Sequence, residues 1–148
     1  MTIIAIMAGA VYPSVSSSLD GIRLTSSADE IVAFLNGAVE RSNRRQVPVE
    51  VLIDRNAKAI VLHSTEAGFE RRYDLSPSVT IQAILPELPA SAMSGSNNLQ
   101  VRRFYVYPGG TAPRIGILIA NRNGAQRMIR IDPITGAPQI ERSNASPQ

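Results

Sequence analysis

The stretch TSSADEIVAFLNGAVERSNRRQVPVEVLID, residues 25–54, changes its hydrophobic period once, and that change decides the architecture. In its first part Ala28, Ile31, Leu35 and Val39 recur at helical spacing, with Val32 and Ala38 widening the apolar stripe. This predicts a helix over 25–45. Ser27 followed by Glu30 has the form of a capping box, and Asp29 and Glu30 suit a helix start. Arg41, Arg44 and Arg45 suit the other end, where the helix dipole favours positive charge. Gly37 costs roughly 1 kcal/mol relative to alanine inside a helix, which predicts a close packing contact at that position.

From Val47 the period becomes two. Val47, Val49, Val51 and Ile53 fall on one face of a strand, which Pro48 should begin or confine to a sheet edge. DRNAK (54–58) reads as a hairpin turn into AIVLHS (59–64), and two further strands follow at 69–75 and 79–84. LPELPASAMSGSNN (85–98) interrupts the pattern with Pro, Ser, Gly and Asn, as an irregular surface loop does. Strands resume in QVRRFYVYP, RIGILIAN, AQRMIRID and PQIER. NRNG (121–124) and DPITG (132–136) supply residues that accept the backbone angles of tight turns. The fold class expected is α+β: a helix packed on antiparallel sheets. Ala28, Ile31, Leu35 and Val39 should meet Val49, Val51, Ile117, Ile119, Ile129 and Ile131 in its core.

Upstream of the helix, Ile3 to Tyr12 are all apolar or small, and they run into Pro13 and a serine cluster. Spanning a bilayer takes roughly 20 such residues. The run lacks the basic flank of a signal peptide, and AGA at 8–10 is only a loose cleavage motif. Apolar residues lie all round the segment, as in helices that are deeply buried or in lipid. Pro13 and Gly21 should interrupt it, so three parts are expected. These are an apolar arm at 1–21, a globular domain at 22–142 and a disordered tail at 143–148.

At 148 residues the chain is long enough for one domain with a real core. Cysteine is absent, which excludes disulfides and thiolate metal sites. The net charge of +3 is almost entirely arginine, since Lys58 is the only lysine. No catalytic constellation is legible. His63 is the only histidine and has no carboxylate placed beside it by the sequence. YPGG (107–110) lacks the lysine and helix of a phosphate loop, and no cofactor or metal motif occurs. Arg71/Arg72 and Arg102/Arg103 alternate across their strands, which breaks up any basic stripe. The residues describe a non-enzymatic, β-rich domain on an apolar arm.

The order of these segments resembles the type IV pilin-like proteins. Residues 3–54 look like the N-terminal half of such a protein, starting partway into its hydrophobic helix, with Pro13 at the family's helix proline. AVERSNRRQVPVEVLID is similar to the helix end and first strand of the GspH/FimT group of minor pseudopilins and pilins. FYVYPGGTAPRIGILIANRNGAQRMIRIDPITGAPQIER is similar to that group's C-terminal pattern: a Phe…Gly turn, hydrophobic strands and a closing Thr-Gly hairpin. The family's basic leader, cleavage-site glycine, methylated phenylalanine and following glutamate have no counterpart before Ile3. The expectation is therefore an N-terminally truncated form.

The resemblance implies a minor pseudopilin of a type II secretion system, a structural subunit that initiates or caps the periplasmic pseudopilus. Its partners would be other minor and major pseudopilins and secreted cargo. Its anchor would be the inner membrane, with the C-terminal domain in the periplasm. Ile3, Ile4, Ile6, Met7, Ala10, Val11 and Pro13 would pack in the membrane and the filament core. The alternative is a FimT-like minor type IV pilin that binds DNA for natural transformation through Arg122, Arg127, Arg130 and Arg142. Against it, Ala137 stands where a basic residue is expected after the glycine, and Glu141 adjoins Arg142.

Overall fold

The computed structural model describes residues 2–66, 68–86, 101–109, 113–132 and 134–141, with side chains from residue 18 onward. One helix, α1 (Thr2–Arg45), precedes eight strands. They are β1 (Val49–Asp54), β2 (Ala59–Ser64), β3 (Glu70–Asp74), β4 (Val79–Leu85), β5 (Val101–Val106), β6 (Gly116–Asn121), β7 (Gln126–Ile131) and β8 (Pro138–Glu141). They form two four-stranded antiparallel sheets, ordered β3-β2-β1-β5 and β4-β6-β7-β8.

α1 corrects three expectations. It is continuous through Pro13 and Gly21, so the break foreseen there is absent and the helix does not begin at residue 25. Proline removes one donor from the ladder but does not by itself end a long helix. The capping box is absent as well. Upstream helix already supplies carbonyls for the N–H groups of residues 27–30, so no cap is needed. Ser27 is buried mid-helix, and Glu30 accepts hydrogen bonds from Ser26 (3.3 Å) and Tyr73 (2.7 Å). The third correction is Gly37. A Cβ added there meets nothing within 4 Å, so no close contact explains the glycine. The tight glycine is Gly116 on β6, where a Cβ would lie 3.2 Å from Leu85 Cβ and 3.3 Å from Met128 Sδ. The helix ends at Gln46, which takes the left-handed angle (φ 55°) usually given to glycine and donates from Nε2 to the Asn43 carbonyl.

The core forms where the stripe of α1 meets the inner faces of both sheets. Leu24, Ala28, Ile31, Leu35 and Ala38 are buried, and Val39 packs half-buried beside them. On the first sheet Val51 pairs with Leu62 and Phe104; on the second Ile117 pairs with Ile129, and Ile129 with Ile140. Ser42 donates from Oγ to the Val106 carbonyl (3.1 Å), fastening the last turns of α1 to β5. β1 starts immediately after Pro48 and is an interior strand, not an edge.

Strict alternation in β4 would put Ile81 and Ile84 on opposite faces, yet both are buried. A register shift between Ile81 and Ala83 resolves this, because one extra residue re-phases the strand. In the β6–β7 turn Asn121 Oδ1 accepts the Asn123 and Ala125 N–H groups (both 3.0 Å), and Gly124 takes φ 84°. The β7–β8 turn closes with the Gly136 N–H donating to the Asp132 carbonyl at 2.8 Å. The Ile134 N–H bonded to the Asp132 carboxylate holds that carboxyl below its usual pKa. The expected irregular loop at 85–98 lies, beyond Pro86, outside the described residues, as do the tail at 143–148 and Arg142.

Candidate functional site

The apolar candidate positions all lie on α1. Ile3, Ile4, Ile6, Met7, Ala10, Val11 and Pro13 lie in its first turns, where the backbone is helical and the side chains are outside the description. Further along, Leu19 and Ile22 are apolar yet 46% and 62% exposed, and Leu24 is the first core residue among the described side chains. No helix among the described residues is long and apolar enough to cross a membrane. A shallow groove lies between this part of α1 and β7, lined by Ser18, Gly21, Ile22, Thr25, Asp29 and Arg127.

Three of the four candidate arginines can be placed, and they do not form one patch. Arg127 shares the face of Ile129 and Ile131, turns toward α1 and donates to the Gln126 carbonyl (2.9 Å). Arg130 points to the opposite side of β7 and pairs with Glu141 at 3.1 Å. Arg122 is exposed in the β6–β7 turn. A phosphate competing for Arg130 would first have to displace a carboxylate already bound to it.

His63 does gain a carboxylate that the sequence did not place. Antiparallel pairing of β2 and β3 sets Glu70 opposite it, with Oε2 4.0 Å from Nδ1. Ser64 beside it accepts the Glu66 N–H. The His63 side chain is 38% exposed and that of Glu70 64%, so the pair lies on an open face of the first sheet. Among the described residues no group of three or more His, Cys, Asp or Glu side chains is placed to hold a metal.

Sequence reading missed the contact that fixes α1 to the edge of the first sheet. Tyr73 donates to Glu30 (2.7 Å) and lies against Phe34 with ring centroids 5.8 Å apart. Nothing local to either segment reveals a pair separated by this much chain. Burial, the hydrogen bond to Glu30 and the Glu30 charge push the Tyr73 hydroxyl up to about 12. Its proton is therefore held more tightly in the folded state than in the unfolded one, where the value is near 10. The stabilisation from this pair is complete below pH ~10 and is lost as pH rises toward ~12. Tyr73→Phe should lower stability at neutral pH and flatten the fall over that alkaline range. Urea titrations across the range check this; identical profiles for both proteins would mean that the Tyr73 hydroxyl does not carry this pH dependence.

A single N-terminal helix laid on two antiparallel four-stranded sheets gives this chain a type IV pilin-like fold, shared with a minor pilin of known structure. The type IV minor pilin FimU of Pseudomonas aeruginosa is similar in structure. In one crystal form the TM-score is 0.55 at 18% identity, covering 84% of this chain and 92% of the FimU chain. In a second the TM-score is 0.54 at 19% identity, covering 84% and 98%. At this identity the shared property is the fold. No protein-family profile matches the sequence, and no curated protein does either.

Proposed function

We propose that this chain is a structural subunit of a pilin-like filament, and specifically a minor pseudopilin at the tip or initiation complex of a type II secretion pseudopilus. The observation that carries the proposal is α1: one continuous helix whose second half belongs to the core and which, in its described turns before Leu24, leaves Leu19 and Ile22 exposed. A helix that serves both as domain core and as extension suits assembly by side-by-side packing with other pilin-like subunits. Exposed Leu19 and Ile22 favour such packing, because apolar side chains left in water mark contact surfaces. In this reading Ile3, Ile4, Ile6, Met7, Ala10, Val11 and Pro13 pack in the inner membrane and then in the filament. The β-domain faces the periplasm and meets other pseudopilins or cargo.

Deleting the gene should block export of secreted enzymes while leaving twitching and DNA uptake intact. The reverse pattern would assign the chain to a type IV pilus. The DNA-binding alternative is retained on exposed Arg122, and on Arg127, Arg130 and Arg142. It requires retardation of DNA in a low-salt gel-shift assay with steep salt dependence. Absence of a shift there dismisses it.

A further inference from the structure

We propose that the groove at the C-terminal end of α1 is a docking site for a carboxylate-rich segment of a partner protein, whichever filament system the chain serves. Gly37, Glu40, Arg41, Arg44 and Arg45 follow one another at i, i+3, i+4, i+7 and i+8, so they share one face of α1. The edge strand β3 adds Arg71 from the other side, closing a groove of about 230 Å³. Four arginines thus line the groove against one lining carboxylate residue, Glu40.

Most of the other described arginines are engaged within this chain, Arg114 and Arg122 excepted. Arg23, Arg72, Arg103 and Arg130 each face a carboxylate of this chain, at 3.9, 2.9, 2.6 and 3.1 Å. Arg44, Arg45 and Arg71 make no ion pair or side-chain hydrogen bond among the described residues, and all three are exposed. Arg41 forms the fixed wall between them. It donates to Glu66 (2.9 Å) and stacks on Phe69 with its guanidinium carbon 3.5 Å from the ring centroid. Its Nε–H is buried with no acceptor, an unmet donor in the groove wall. Gly37 now has an account. It forgoes helix propensity where no packing requires it, and it leaves the groove lining bare of a side chain.

The ligand chemistry follows from size and surroundings. Guanidinium forks match planar carboxylates in bidentate geometry. A groove of this volume accepts single acidic side chains. A nucleic-acid strand fits it poorly, for two reasons. The Phe69 ring is already covered by Arg41, so no platform is left for a base. The groove is also short, about 230 Å³, and offers no continuous track for successive phosphates.

The test is fluorescence anisotropy of a labelled oligoglutamate peptide titrated with the full chain at low and moderate salt. Binding should weaken as salt rises. The double variant Arg44→Glu/Arg71→Glu should lose at least about tenfold in affinity, and Glu40→Gln should gain a few-fold. Arg23→Glu/Arg114→Glu, which changes net charge by the same amount elsewhere, should bind like the parent. All substituted positions are exposed, and circular dichroism should read the same for each variant as for the parent. Equal losses in both double variants would reduce the effect to net charge and overturn the proposal. Failure of the parent chain to bind would do the same, as would tighter binding of an oligothymidylate abolished by the groove variant.

Discussion

Replacing Leu35 with alanine should destabilise the protein by about 2–5 kcal/mol, the range for emptying a buried leucine site. Leu35 is 2% exposed, sits in the middle of the α1 stripe, and belongs to the one core that unites helix and both sheets. Neighbours drawn from three separate layers cannot all relax into the space, so the cavity persists and the cost lies well above simple transfer. For a chain of this size the melting temperature should fall by roughly 5–15 °C. Urea denaturation followed by circular dichroism reads the loss. Leu52→Ala is the control, because Leu52 is only half-buried on β1, on the opposite face from Val51 and Ile53. Its loss should be clearly smaller. Equal costs at the two positions would mean that the α1 stripe is not the centre of the core.

Removing residues 1–21 should have the opposite signature: little change in stability and complete loss of assembly. Among the described side chains, which begin at residue 18, the first buried apolar one is Leu24, and Leu19 and Ile22 just before it face solvent. The hydrogen-bonded frame of both sheets and the stripe from Leu24 to Val39 stay whole in the truncated chain. Its melting temperature should match the parent within a few degrees, and its solubility should rise because exposed apolar surface is removed. In cells the truncated form should fail to restore the function lost on gene deletion. A large drop in melting temperature would place the early turns of α1 in the core and take away the main physical support for a filament subunit. A stable truncated form that restores function would contradict the assembly role directly.

Both predictions rest on a helix and eight strands that were largely legible before any coordinates. The alternation in 47–54 and the helical spacing of Ala28, Ile31, Leu35 and Val39 are local signals, set by where side chains must point to leave water. Turn chemistry is equally local, so Asn121 and Gly124 announced the β6–β7 hairpin and Asp132 and Gly136 the next one. The sequence by itself therefore determined the element types, their order and most of the buried set. What it misjudged were features whose meaning depends on distant chain. Ser27 and Glu30 look like a cap only if nothing helical precedes them; with continuous helix upstream, Ser27 turns inward and Glu30 is free to receive Tyr73. Gly37 and Gly116 are indistinguishable as letters, and only the approach of Leu85 and Met128 makes the second one tight. Arg71 reads as half of an alternating pair until β3 takes the sheet edge beside α1 and brings it to Arg41, Arg44 and Arg45. Periodicity reports which way a residue faces. Which residue it meets there is decided by tertiary packing, because contacts between distant segments leave no trace in the spacing of either one.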